Sequence, residues 1–303
     1  MSGTPYTGPI VDAHHHFWDL GLRKHPWLDP STGQDELAPI RRNHLPADYL
    51  PLAREANIAA SVHVEANWDP EDPLGETRWL DTLERPAGIA ARYIAYAPLL
   101  DPQAAAILEQ HAAHESVVGI REILSWHPDP QKRRIPDKER MTNPIWWRNL
   151  ALCRGHDFIF ELLLSPWQLE DARRLADDFP DIAFILNHCG SPMDRDAEGM
   201  RRWSDGLRLL AGASNVSIKV SDPVAYDPDW TFESLSRVIL TCIDCFGPSR
   251  SLFASDDPVA GLYIGFSEWL SVFAEVTRHF SADEKTAMSH ENARRLYRMP
   301  ADS

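Results

Sequence analysis

Residues 10–19 read IVDAHHHFWD. The run opens on β-branched Ile10 and Val11 and, apart from Asp12, is apolar as far as Ala13, which predicts a short strand. Along a strand, residues i and i+2 point the same way, so His14 and His16 share one face and His15 takes the other. Two imidazoles side by side at a strand end suit zinc and similar divalent metals. His15 reads as structural. Three histidines embedded behind Val11 and Asp12 do not look like an expression tag.

Working outward, the same kind of run recurs seven times: IAASVHVEA (58–66), IAARYIAYAPL (89–99), VVGIREIL (117–124), DFIFELLL (157–164), IAFILNH (182–188), VSIKVS (216–221) and SLFASD (251–256). Most are continuously apolar, as expected of strands buried on both faces in a parallel sheet. Parallel strands need crossovers, usually helices, and the intervening segments carry helix starts. Asp101-Pro102 and Asn143-Pro144 read as N-cap plus proline at the first helical position. Ser165 with Gln168, and Ser281 with Glu284, read as capping boxes, the second opening a final helix to about Tyr297. Pro51 falls inside the first expected helix and predicts a short or kinked one. Eight strands alternating with helices predict an α/β fold, a TIM-like (β/α)₈ barrel forming a single domain over 1–303. A doubly wound open sheet is the alternative, but no G-x-G-x-x-G follows the first strand. Two long connections, 17–45 and 125–143, follow strands one and four. Loops in those places lie on the C-terminal face of such a barrel, where active sites form.

The composition is that of an ordinary globular protein. The 303 residues are 44% hydrophobic and 25% charged, with a net charge of −15. An acidic chain without a Lys/Arg-rich run argues against nucleic acid and anionic membranes as partners. No basic, apolar leader opens the chain and no run reaches the roughly 18 apolar residues of a membrane span, so the expected location is the cytoplasm. The expected partner is a small-molecule substrate, and a homo-oligomer is compatible with the sequence. Four cysteines do not make a disulfide framework. Cys242 and Cys245 form a C-x-x-C, but Leu235, Val238, Ile239 and Cys242 repeat at helical spacing, which makes them packing residues near a helix end.

Other strand ends carry polar groups. His188 closes the sixth run, and Asp256 closes the eighth, where a carboxylate is costly unless it is paired or working. Asp257, before Pro258, reads as a turn residue. Glu161 interrupts FIFELLL; it either ligates a metal or orients a ligand histidine, or else pairs with a buried cation. Lys219 poses the same choice between polarising a substrate carbonyl and pairing with Glu161 or Asp256. Of Arg121 and Glu122 only one can face the lumen; Arg121 offers a bidentate contact to a substrate carboxylate, against a salt bridge to a neighbouring strand.

Together these residues resemble one family. The opening D-A-H-H-H-F-W-D, Pro26-Trp27-Leu28, Gly119 to Arg121, Trp126-His127-Pro128, Pro166 to Gln168, Leu186 to His188, Ala254 to Asp256 and the closing Glu291 to Tyr297 look like the amidohydrolase 2 group. More narrowly they resemble its lactonase branch, the relatives of L-fuconolactonase, L-rhamnonolactonase and 2-pyrone-4,6-dicarboxylate lactonase. The resemblance implies a TIM-like barrel with His14, His16, His188 and Asp256 at the site. It implies one divalent metal ion, zinc before manganese, although some lactonases of the branch work without any. Glu122 departs from the uncharged Gln expected after Arg121.

The expected reaction is lactone hydrolysis. Asp256 is the candidate base for the attacking water. His14 and His16, with Glu161, His188 and Asp256 as further candidate ligands, would hold the metal, or the imidazoles would polarise the carbonyl themselves. Arg121 and Lys219 are substrate-binding candidates, with Trp18, Trp126 and His127 lining the ring pocket. Two other readings stand beside this one: a metal-dependent decarboxylase of an aromatic or related acid, and a barrel that binds a small ligand without turnover.

Overall fold

All eight apolar runs form strands: β1 (Ile10–His15), β2 (Ile58–Val64), β3 (Arg92–Tyr96), β4 (Val117–Ile123), β5 (Ile159–Leu163), β6 (Phe184–Leu186), β7 (Val216–Val220) and β8 (Ser251–Phe253). They come from a computed structural model that describes residues 4–299. The strands pair in sequence order and every ladder is parallel. The ring closes just beyond the last strand. His15 bridges Asp257, the Asp256 N–H donates to the His14 carbonyl at 2.8 Å, and the His16 N–H donates to the Asp257 carbonyl at 2.8 Å. The closure therefore falls on the residues singled out for chemistry.

Helices return the chain between strands: α1 (Pro46–Glu55), α2 (Gly75–Leu80), α3 (Ala104–Ala112), α4 (Pro144–Leu150), α5 (Leu169–Asp178), α6 (Ala197–Ala211), α7 (Phe232–Phe246), α8 (Phe266–Val276), α9 (Ala282–Thr286) and α10 (Asn292–Leu296). Strand residues facing these helices, such as Tyr93, Ile120, Phe160, Leu162, Phe184 and Ile218, build the main core. The opposite set, including Val11, Val62, Ile94, Ile159, Ile185 and Leu252, fills the barrel, and Tyr297 packs into this second cluster after α10. Two buried faces explain why the strands read as continuous apolar runs. Gly119 lies where β4 is squeezed between its neighbours: a Cβ there would come within 2.7 Å of the Ile159 carbonyl oxygen and of Ile94 Cδ1.

Local signals hold with instructive shifts. Asn143 caps α4 through its side chain, and both halves of the Ser281–Glu284 box form. Asp101 accepts from the Gln103 N–H at 2.6 Å, so it caps a turn ahead of α3 rather than the helix itself. Gln168 Oε1 accepts from the Ser165 N–H at 3.2 Å, while the Ser165 hydroxyl turns to the Trp126 carbonyl. Pro51 lies inside α1 and the helix continues through it. The final helix is interrupted by a π-helical turn at Ala287–Glu291. β3 is shorter than its apolar run because Ala90 is left-handed, at φ 46°. β6 and β8 stop early because the chain swings into left-handed backbone at His188 (φ 48°), Cys189 (φ 55°) and Asp256 (φ 56°). Cys242 is buried on α7, and both it and Cys245 are free thiols. Among the described residues no helix is long and apolar enough to cross a membrane.

Candidate active site at the C-terminal end of the barrel

The polar residues foreseen at strand ends converge. His14 and His16 come from β1 and its end, Arg121 from β4, Glu161 from β5, Lys219 from β7, and His188 and Asp256 from the turns after β6 and β8. His14 Nε2 and His16 Nε2 are 3.2 Å apart, and each lies 3.3 and 3.2 Å, respectively, from Asp256 Oδ1. His16 Nδ1 is held by the Val64 carbonyl at 2.7 Å. The His188 ring lies 4.7 Å from that of His14, and its Nδ1 is 3.0 Å from Ser221 Oγ. His15 points the other way, stacking on Tyr49 of α1 and meeting Ser61 Oγ at 2.9 Å.

Behind His14 lies an interior network. Lys219 Nζ is 3.3 Å from His14 Nδ1 and pairs with both oxygens of Glu161, at 2.7 and 2.6 Å. Tyr297 and Asn187 donate to the same carboxylate, each at 2.8 Å. Glu161 thus takes the second course open to it, pairing with a buried cation. Arg121 likewise forms the salt bridge: its Nε donates to Glu65 Oε1 at 2.7 Å and its Nη2 to the Glu65 carbonyl at 2.6 Å. Only Nη1 remains toward the centre, 3.5 Å from His14 Nε2 and 3.4 Å from Asn187 Oδ1. Glu122 faces outward, accepting from Arg140 at 2.8 Å and from the Trp146 indole at 2.7 Å, so it anchors the 125–143 connection and α4.

Burial sets the charges. It drives the His14 imidazole well below its ordinary range, and the Lys219 ammonium adds to the effect, so His14 is neutral. Burial likewise brings His188 down to about 4, partly offset by Asp256. For Asp256, burial pushes upward, but His188 and His16 outweigh it and hold the carboxyl below its usual value. Burial lowers Lys219 to about 8 against the pull of Glu161. Asp222, after β7, is the opposite of Asp256: burial and the Asp256 charge push it well up, leaving an acid beside a carboxylate.

Trp18 is fully buried, donates its indole N–H to the Arg42 carbonyl at 2.7 Å, and stacks against His16 with ring centres 6.4 Å apart. Trp126 and His127 belong to a different cluster. His127 Nε2 lies 3.0 Å from Asp194 Oδ2, which also takes the Trp167 indole, and Lys138 sits over the Trp126 ring. Four groups went unforeseen: Glu65, Asn187, Ser221 and Asp222. Asp222 carried a readable signal, an acid at the end of an apolar strand, as Asp256 is. Glu65 and Asn187 carried none beyond lying near a strand end.

Two sets of donors could hold a cation among the described residues: His14, His16 and Asp256, and His188, Asp222 and Asp256, each with ligand atoms within 4.8 Å of one another. The first set suits one divalent ion in its donor types. With Val64 accepting at Nδ1, His16 turns Nε2 to the point that a carboxylate oxygen also faces, and a backbone carbonyl behind the ring is what commonly orients a metal-bound histidine. Glu161 lies outside both sets because its oxygens are committed to Lys219, Asn187 and Tyr297.

A catalytic barrel with an H-x-H on its first strand, a histidine after its sixth and an aspartate after its eighth defines a class, and comparison with known proteins agrees. The amidohydrolase family model matches residues 11–299, and the chain belongs to that family. Protein y4mH of Sinorhizobium fredii is 32% identical over 96% of this chain and 98% of its own. An L-fucono-1,5-lactonase of Burkholderia multivorans is 26% identical over 96% of each chain. Among solved structures, an amidohydrolase from Burkholderia multivorans with bound HEPES has a TM-score of 0.82 at 26% identity, covering 97% of this chain and 100% of that one.

Proposed function

We propose that this amidohydrolase is a lactonase that opens a small lactone by attack of water, acting in the cytoplasm. The observation that carries the reading is Asp256 Oδ1 lying 3.2 and 3.3 Å from two imidazole nitrogens, which gathers a base and polar groups around one point. The likeness to an L-fucono-1,5-lactonase over 96% of each chain supports the same reaction class.

Asp256, an ionised carboxylate, takes the proton of the attacking water. Arg121 Nη1 faces His14 at 3.5 Å, and its N–H groups, with His14 in its Nε2–H form, would polarise a carbonyl oxygen placed beside them. As the tetrahedral centre collapses, Asp256 returns its proton to the ring oxygen that leaves. His188, neutral and tied to Ser221, shapes the side of the site facing β6 and β7. A divalent ion held by His14, His16 and Asp256, with His188 beside them, would supply Lewis-acid polarisation of the carbonyl or of the water; zinc is the first choice and manganese the second. Trp18 supports His16 from behind. Lys219 stands behind His14, 3.3 Å from its Nδ1.

The test follows proton release with a pH indicator across a panel of sugar-acid and muconate-type lactones. It compares enzyme as purified, after chelation, and after resupply of Zn²⁺ or Mn²⁺. Turnover that disappears in Asp256→Asn is expected. Release of CO₂ from an aromatic carboxylate, with no lactone opened, would replace this reading by the decarboxylase.

A further inference from the structure

Three side chains at the ends of adjacent strands face one another on the β6 and β7 side of the centre. His188 follows β6, Asp222 follows β7 and Asp256 follows β8. One ligand atom from each lies within 4.8 Å of the other two. All three residues are buried, at 7, 5 and 2% exposure. Two carboxyl groups brought together away from water are costly unless a positive or hydrogen-bonding group stands between them.

The protein leaves that place open. Asp222 Oδ1 is buried and has no hydrogen-bond partner among the described residues. His188 is tied from behind, with Nδ1 3.0 Å from Ser221 Oγ, the kind of outer contact that orients a ligating imidazole and leaves Nε2 to the front. The backbone bends to make the meeting: φ is 48° at His188, 44° at Asp222 and 56° at Asp256, left-handed values that few non-glycine residues adopt. The H-x-H set differs in its surroundings. Arg121 Nη1 lies 3.5 Å from His14 Nε2, so an ion on that nitrogen would meet a guanidinium, which is always charged.

We propose that His188, Asp222 and Asp256 form a second divalent-cation site, suited to manganese and sharing only Asp256 with the H-x-H set. One imidazole with two carboxylates is an oxygen-rich set of donors, the kind that takes Mn²⁺, while the two imidazoles and one carboxylate of the first set suit zinc. The cation would stand between the ends of β6, β7 and β8 and relieve the facing carboxyl groups. Asp222 is the ligand that defines the site, because it belongs to this set alone. The site does not rest on the lactonase reading, and its test uses no lactone.

The probe is Mn²⁺ added to chelator-stripped protein, followed by loss of the free-ion electron paramagnetic resonance signal. The unaltered protein is expected to bind the ion. Asp222→Asn keeps the side-chain shape and tolerates the left-handed backbone, and its Mn²⁺ affinity should fall about 10-fold or more. Asp222→Gly, in which the backbone strain is gone, removes the carboxylate altogether and should show at least the same loss. It keeps the experiment decisive if Asp222→Asn folds poorly. His14→Gln, which alters the first set only, should leave Mn²⁺ affinity nearly unchanged. In protein labelled with ¹⁵N-histidine, pulsed resonance should show one imidazole nitrogen bound to Mn²⁺; the first set would show two. No Mn²⁺ binding by the unaltered protein, or affinity that survives both Asp222 variants, overturns the proposal. So does affinity lost in His14→Gln with two coupled imidazoles, which would put the ion on the H-x-H.

Discussion

The Val64 carbonyl oxygen lies 2.7 Å from His16 Nδ1. A carbonyl can only accept, so Nδ1 carries a proton, and the ring is held with Nε2 facing Asp256 Oδ1, 3.2 Å away. His14, two residues earlier on the same strand, has Lys219 Nζ behind it, 3.3 Å from its Nδ1. The two imidazoles of one H-x-H thus meet the same carboxylate, and the groups behind them come from β2 and β7.

Replacing the base tests the centre directly. Asp256→Asn keeps the shape of the side chain, and Asn tolerates the left-handed backbone at φ 56°. Lactone kcat/KM is expected to fall by about 10²- to 10⁴-fold with the melting temperature little changed. A drop below about threefold would remove Asp256 from the chemistry.

The Glu161–Lys219 pair makes a stability prediction. Both side chains are fully buried, so removing one partner leaves an uncompensated charge, at a cost of about 3–5 kcal/mol. Glu161→Leu or Lys219→Met alone should lose roughly that amount in urea unfolding, while the double variant should recover most of it. Additive losses would show that the pair does not act as a unit.

His111 predicts sensitivity to acid. It is fully buried, against Thr77 Oγ1 at 3.3 Å and the Tyr96 carbonyl at 2.9 Å, and burial lowers it to about 4. The native state keeps it neutral while the unfolded chain takes up a proton below about 6.5, so stability falls as pH drops from about 6.5 to 4. The contribution of this one group reaches about 3 kcal/mol at the acid end. His111→Gln should flatten the pH dependence of urea unfolding over that window; an unchanged slope would assign the loss to other groups.

Asp222 stores strain. Its backbone is left-handed at φ 44°, it does not cap the turn that follows, and its buried Oδ1 has no hydrogen-bond partner among the described residues. Asp222→Gly relieves the left-handed backbone, and should stabilise the fold by about 1 kcal/mol. A loss of stability in thermal unfolding would mean that the carboxyl makes a compensating contact.

The fold was readable because its signals are local. An apolar run such as 216–221 shows strand burial on both faces, and Asn143-Pro144 or Ser281 with Glu284 shows where a helix begins. Boundaries were less readable: β6 and β8 end early because His188 and Asp256 adopt left-handed backbone, which no propensity announces. In the site, His14, His16, His188 and Asp256 were legible as polar residues closing apolar strands. Glu65 and Asn187 were not, because their importance comes from Arg121 and Glu161, residues far away along the chain.

By itself, then, the sequence determined the eight-stranded barrel, the end at which its chemistry lies and the histidines and aspartate that meet there, since periodicity and strand-end placement are properties of short segments. Only the tertiary structure decided how each group behaves. Which nitrogen of His14 or His16 carries a proton, why Asp256 is ionised while Asp222 is not, and that Arg121 spends most of its fork on Glu65 all depend on neighbours from other strands. Electrostatics in a buried site is set by what stands within a few ångströms, and closing the barrel is what brings those groups together.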